Sequence, residues 1–442
     1  MTRFGIALSF ALLSVGRSED WPQFRGPNGT GVSVDSPIPL EWSSDKHIAW
    51  KAPVPGAGWS QPVIVGNLVF VTSAITDRPR QPKDYASGTA DPYTISGGSA
   101  PPPDGSVDWR VFALELRTGV MRWQRSVASG KSRYPIHPSS TYANETPAAD
   151  EGAVYVFFGA IGMLVGFDHE GQMLWRRELG VYRQQNNTGA ASSPRLFGGL
   201  LYLQCFNEEQ AFLVCLEAKS GREKWRIVRD EVGTSWSTPL IWRNERRTEL
   251  IAGGPKLMTS HDPLTGKELW RASGTEMPLI ASISADTQHL YFGSRSPTQG
   301  GALYAFNAGI EGAQRLDPRQ RVSKGESWRA PDAAPGMPSP IVAAGCVYTL
   351  NEAVLTCVEA ATGRQHYHKR LPGFRSVVAS PVAVDNKVVI IDESGNAMVL
   401  RAGPEFEILG QSRLEDRFWA SPATSNGMLL LRGLEHVYCI RQ

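Results

Sequence analysis

Three tryptophans occupy a position from which aromatic rings could receive a ligand. Trp59, Trp236 and Trp419 each lie three residues before a proline, in Trp59-Ser-Gln-Pro62, Trp236-Ser-Thr-Pro239 and Trp419-Ala-Ser-Pro422. Equivalent stretches before other prolines supply Tyr142, Asn144 and Glu145, then Asn186 with Asn187, Met337, Arg375, and Asp416 with Arg417. Aromatic walls carrying a few polar groups are the usual material of a small-molecule site. The same rings would serve equally to plug a channel, and both readings stand at this point. His366 and His368 share one face of a strand, as a metal pair needs, but no third ligand lies near them. The chain has no His-Glu-x-x-His, no Gly-x-Ser-x-Gly, no phosphate-binding Gly-rich loop and no calcium loop. No catalytic residue is assigned.

A repeat must position these residues. One phrase is complete at Ala113-Leu-Glu115-Leu-Arg-Thr118-Gly119-Val-Met-Arg-Trp123 and returns around Trp225 and Trp270. It returns one residue shorter around Trp175, and with Tyr367 in place of tryptophan. A second phrase precedes it in each unit: Ser or Thr, Pro, an apolar run, a turn, another apolar run. Its prolines are Pro62, Pro147, Pro194, Pro239, Pro340, Pro381 and Pro422, and an eighth copy without proline spans Ala281 to Asp286. Within the first unit Pro62–Val65, Leu68–Thr72, Arg110–Glu115 and Val120–Trp123 read as four short antiparallel strands, with Gly66-Asn67 and Thr118-Gly119 as turns. Four strands repeating at roughly 40 to 55 residues form a propeller blade. The expectation is an all-β, eight-bladed β-propeller of four-stranded blades. The last unit stops after its third strand, Val437–Arg441, and His47–Lys51 is expected to complete it, so that the N-terminal strand closes the ring and removes an open sheet edge.

In a propeller the stretches before the prolines cross from one outer strand to the next inner one, so they converge on one mouth of the central channel. The long loop Ala74–Asp108 and the crossing Ser126–Thr141, with Arg133 and His137, fall on the same face. Long loops in a compact domain tend to be functional, and these are expected to form a rim or lid. The insertion Ala308–Ser327 is expected on the opposite face. The repeat tryptophans, with Trp50 and Trp328, read as packing anchors between blades.

Five cysteines leave two arrangements to weigh. Cys346 with Cys357, and Cys205 with Cys215, would sit across hairpins. Against pairing, Cys215, Cys357 and Cys439 occupy one third-strand position where other units hold Ala113, Gly166 and Ala305, so a small side chain suffices and free thiols are favoured.

Lys and Arg number 45 against 43 Asp and Glu, a net charge of +2, which leaves no basic footprint for nucleic acid. Residues 1–18 read as a secretory signal cleaved near residue 18, too short in its apolar part to span a membrane. Residues 19–46 form a lead segment and 47–442 the propeller, in a periplasmic or secreted chain. No cysteine precedes Cys205, so no lipidated N-terminal cysteine is expected.

The phrase Ala-x-Asp/Glu-x-x-Thr-Gly-x-x-x-Trp resembles the repeat of pyrroloquinoline-quinone (PQQ)-like β-propellers, a superfamily of quinoprotein dehydrogenases and the outer-membrane assembly lipoprotein BamB. Trp21-Pro-Gln-Phe-Arg-Gly-Pro-Asn-Gly29 resembles the opening of exported members of that superfamily. One fold hosts many functions. The scaffold branch implies a non-catalytic binding module with a protein or small-molecule partner at the mouth and no cofactor. The enzyme branch implies PQQ and calcium, with Trp59 or Trp236 stacking on the quinone and Asn144 and Glu145 ligating calcium, but the adjacent cysteine pair common in such enzymes is absent. The ligand-binding set expected at the mouth is therefore Trp59, Tyr142, Asn144, Glu145, Trp236, Arg375 and Trp419.

Overall fold

In a computed structural model the described residues are 20–34, 37–78, 81–85, 105–275, 279–296, 300–316 and 324–442. The expected secretory signal lies outside them, as do residues 86–104 of the long loop and part of the insertion. The chain forms eight antiparallel sheets arranged as the blades of an all-β propeller. Blade 1 consists of Val63–Val65, Leu68–Thr76, Val107–Glu115 and Met121–Gly130. The apolar runs become the inner three strands of each blade because both of their faces meet a neighbouring blade. Leu200–Cys205 and Phe212–Glu217, for example, are buried along almost their whole length, while Glu223–Val228 outside them is mostly exposed.

The ring closes as the sequence implies. Ile48–Pro53 pairs antiparallel with His436–Ile440, with Trp50 opposite Cys439. Two short strands extend the pattern. Val32–Ser33 of the lead segment joins blade 7 in parallel beside Val382–Val384, on the channel side. Gly312–Arg315, from the insertion in blade 5, pairs in parallel with Glu268–Thr275 and becomes the outermost strand of blade 4.

The repeated phrase is explained by how neighbouring blades meet. Trp50, Trp123, Trp175 and Trp328 each donate the indole N–H to a backbone carbonyl in the turn of the next blade, at Leu116, His169, Ala218 and Ala360, over 2.6 to 2.9 Å. The indole lies flat against the turn glycine. A Cβ on Gly119 would come within 2.5 Å of the Trp50 ring, and one on Gly221 within 2.5 Å of Trp175. Both glycines have positive φ, +71° and +64°, so they are required twice over. Across its own sheet each tryptophan faces a small residue: Ala113 opposite Trp123, Gly166 opposite Trp175, Cys215 opposite Trp225. Trp270 departs from this pattern. Blade 5 has no Thr-Gly turn and the inserted strand intervenes, so this indole donates to the buried Glu249 carboxylate over 2.6 Å.

All five cysteines are free. Cys346 faces Glu359 and Cys357 faces Tyr348 in the ladder, so the two thiols are diagonal neighbours rather than directly opposed.

Candidate functional site

The crossings before the repeat prolines converge on the propeller axis and enclose a cavity of about 370 Å³. Trp59, Trp236 and Trp419 line it, with Asn144, Asn186, Met337 and His137. Each indole N–H is engaged by the protein. Trp59 donates to Ser139 O at 3.1 Å, Trp236 to Gly189 O at 2.9 Å, and Trp419 to Glu393 Oε2 at 3.1 Å. Their faces are left for the cavity or for each other: Trp59 and Trp419 stack with centroids 5.7 Å apart. His137 Nδ1 accepts from the Ser139 backbone N–H at 3.1 Å and meets the Ser139 hydroxyl at 2.6 Å, which leaves the neutral ring's proton on Nε2.

Three of the expected site residues are elsewhere. The Tyr142 ring packs edge-on against Trp109 in the core between blades 1 and 2, and its carbonyl accepts the Trp109 indole at 3.0 Å. Glu145 follows the inward Asn144 in extended chain, so its side chain turns the other way. There it accepts the Gly159 N–H at 2.9 Å, and burial pushes its carboxyl up to about 8. Arg375 is exposed beyond the rim, its backbone N–H donating to Asp392. Asn144 does reach the lining, but its amide is already engaged: Oδ1 accepts from the Thr141 hydroxyl, and Nδ2 donates to Ser140 Oγ and to Ala190 O. Asp416 buttresses a turn, accepting the N–H of Leu434 and the Tyr438 hydroxyl.

Residues 81–85, the described part of the long loop, lie over this mouth. Lys83 N–H donates to Pro138 O at 3.0 Å on one side. On the other, Arg417 Nη1 donates to Pro82 O, and the Tyr85 N–H donates to Glu393 Oε2 at 3.0 Å. Tyr85 lines the cavity and meets Trp419 edge-on. Glu393 thus ties the loop and Trp419 together, and its partial burial raises its carboxyl above the usual range.

The floor was not anticipated. The residue before the repeat proline is Ser or Thr in six units, Ser282 holds the same place in the copy without proline, and these seven hydroxyls form a ring around the axis. Thr146 Oγ1 accepts the Gln61 N–H, Ser193 that of Thr146, Thr238 that of Ser193, Ser282 that of Thr238, Ser339 that of Ser282, Ser380 that of Ser339 and Ser421 that of Ser380, all at 2.9 to 3.1 Å. All seven line the cavity and all are buried. Each oxygen accepts a backbone N–H, and among the described residues none of the seven O–H groups donates to a protein acceptor. The Ser/Thr-Pro phrase was visible in the sequence, but that the hydroxyls meet on an axis was not.

Gln61 takes the eighth position and clamps the lead segment. Its Oε1 accepts the Arg25 N–H at 2.7 Å and its Nε2 donates to Pro422 O. Phe24 lines the cavity floor. Beneath it Arg25 Nη2 donates to Thr30 O at 2.6 Å and to Pro340 O, while Arg195 donates to Pro239 O and Phe24 O, both at 3.0 Å. Both guanidiniums are buried, and neither forms an ion pair with a carboxylate among the described residues. Burial holds each well below its ordinary range, at about 9, so both are cations at neutral pH. Arg25 Nε and Nη1 have no hydrogen-bond partner.

No Asp, Glu, Lys or Arg side chain lines the cavity among the described residues. No group of three His, Cys, Asp or Glu that could hold a metal ion occurs among them. The polar set at the mouth is therefore hydroxyls, two amides, the His137 imidazole and aromatic edges, without the carboxylates a calcium ion takes.

A family model described as outer membrane protein assembly factor BamB matches residues 40–238 and 159–309, more than half of the chain. No curated protein matches the sequence. Among solved structures, BamB from Moraxella catarrhalis aligns with TM-score 0.59 at 12% identity over 89% of this chain and 97% of that one. A europium-containing methanol dehydrogenase aligns with TM-score 0.61 at 12% identity over 95% and 90%. The computationally designed protein Ika8 aligns with TM-score 0.56 at 10% identity over 91% and 99%. At such identities the likeness is one of fold, and it spans an outer membrane protein assembly factor, a dehydrogenase and a design alike.

Proposed function

We propose, for a chain that belongs to the family of the outer membrane protein assembly factor BamB, that it is an exported, non-catalytic binding module whose ligand or partner segment enters the channel mouth between Trp59, Trp419 and Trp236. The observation that carries this reading is the aromatic-walled cavity of about 370 Å³ on the axis, large enough for a small molecule or a side chain and lined by no acid, lysine or arginine among the described residues. A quinone dehydrogenase of the kind the resemblance implies also needs a bound metal cation and a base. The two residues expected to hold calcium do not present themselves for it, Glu145 turned into blade 2 and Asn144 engaged by its neighbours. The residues present do not fit that cofactor pair. Export rests on the secretory reading of residues 1–18 and on the family. Among the described residues no helix is long and apolar enough to cross a membrane.

Calorimetric titration of PQQ with and without calcium, on the wild-type chain and on Trp236→Ala, tests this reading. No effect of calcium and no alcohol-dependent dye reduction is the expected result. One-to-one binding that requires calcium, is lost in Trp236→Ala and supports alcohol oxidation would overturn it.

A further inference from the structure

We infer that the hydroxyl ring on the axis, with Arg25 and Arg195 beneath it, receives a carboxylate, and that the ligand's apolar body lies above it among the tryptophans. The inference rests on the binding-module reading and names the chemistry that this mouth selects.

The argument is one of unsatisfied donors. A buried hydroxyl in a folded protein normally both accepts and donates. Here seven buried hydroxyls each accept one N–H from the backbone of the preceding blade, which fixes each oxygen in place and leaves it one lone pair and its O–H. Their seven protons have no protein acceptor and face one cavity. Seven O–H groups without an acceptor among the described residues, on a wall that carries no carboxylate, suit an acceptor-rich group.

Charge points the same way. Two guanidiniums buried side by side without a carboxylate carry a large desolvation cost. Carbonyls of Pro239, Pro340, Thr30 and Phe24 satisfy part of each fork, but Nε and Nη1 of Arg25 remain without a partner. Arg195 lowers the proton affinity of Arg25 by direct repulsion, so the pair projects uncompensated positive potential. Phe24, on the residue joining them, is the floor of the cavity. An anion on the ring offsets this potential, and hydrogen bonds to an ionised acceptor are about twice as strong as neutral ones. A carboxylate fits better than a bare halide because the walls above the ring are Trp59, Trp236, Trp419 and Tyr85, which need an apolar body to cover them. The C-terminus of a polypeptide ending in an apolar residue and a small organic acid both have this chemistry.

Benzoate and benzyl alcohol, matched in body but not in charge, are titrated against the wild-type chain by tryptophan fluorescence. Benzoate is expected to bind roughly tenfold tighter. Ser339→Ala combined with Ser380→Ala is expected to erase most of that preference while leaving the weaker benzyl alcohol binding in place. The tripeptide acetyl-Gly-Gly-Phe, as acid and as amide, separates the sources: tighter binding of the peptide acid than of benzoate identifies a polypeptide terminus, and the reverse identifies a small acid. Because the alanine variants could weaken folding, crystals of the unaltered chain in sodium bromide give an independent reading. Anomalous density touching the ring hydroxyls is the expected result. Equal affinity for benzoate and benzyl alcohol overturns the carboxylate while leaving the mouth a binding site. A ring that holds only water in bromide, with no probe bound, overturns it as well. Calcium-dependent quinone binding, by contrast, overturns the binding-module reading itself.

Discussion

Trp419 stacks on Trp59 with ring centroids 5.7 Å apart and planes inclined by 18°. One ring precedes the first strand of blade 8 and the other that of blade 1, so this contact closes the propeller at its mouth, on the far side of the seam from the strand pairing of Ile48–Pro53 with His436–Ile440. Trp59 is only 7% exposed. Trp59→Ala is expected to cost about 3 kcal/mol through lost burial and cavity. Urea denaturation measures it, and a change below about 1 kcal/mol would show that the stack is not part of closure.

The docking of indoles on turn glycines gives a graded comparison. Gly221 has φ +64° and faces Trp175 at 2.5 Å, while Gly345 has φ +71° with nothing within 4 Å of its added Cβ. Gly345→Ala meets only the left-handed backbone and should cost about 1 kcal/mol. Gly221→Ala adds a clash with a packed ring and should cost about 3 kcal/mol. Equal midpoints in denaturant for the two variants would show that the glycine is there for the turn alone.

Glu145 makes stability depend on pH in a known direction. Its carboxyl is pushed up to about 8 by burial, against an ordinary value of 4.5. Between those values the unfolded chain has released a proton that the folded chain retains, so the unfolded state binds fewer protons and stability falls as pH rises. The contribution is full below about 4.5 and is lost as pH passes through about 8. Glu145→Gln keeps an acceptor for the Gly159 N–H and should flatten that part of the profile. The denaturation midpoints of both chains between pH 5 and 9 provide the check, and parallel slopes would contradict it.

The thiols should be silent in the folded chain. Burial pushes Cys205, Cys215 and Cys439 each up to about 12, and Cys357 is raised as well; Cys346, lowered by its hydrogen bond with Cys357, is itself buried from solvent. Cys205 is partly exposed as a residue, yet its thiol is withdrawn. Ellman's reagent should find no fast-reacting thiol in the native protein and all five cysteines in denaturant. Fewer than five after denaturation without reductant would indicate a disulfide.

The sequence by itself determined the architecture: eight units, four strands each, and closure by the N-terminal strand. It did so because the propeller repeats one local problem eight times. Most blades place an indole on the outer strand, a small residue across the sheet and a glycine turn on the next blade, and these recur at fixed spacing, so periodicity shows them without any tertiary information. It also located the mouth, since Trp59, Trp236 and Trp419 share one offset from the repeat prolines.

Only the tertiary structure decided which neighbours of those tryptophans face the axis. Asn144 and Glu145 are adjacent in an extended crossing and so point opposite ways, and no spacing argument tells which is inward when both are polar. Tyr142 turns into the core against Trp109 and Arg375 out to solvent, orientations that the repeat spacing does not record. The hydroxyl ring was written in the sequence as Ser or Thr before proline, but convergence is a property of ring closure, not of any one repeat. The lead segment carries no repeat at all. That Arg25 runs beneath the floor beside Arg195, 170 residues away in sequence, follows from long-range contacts alone, and a linear pattern holds no record of them.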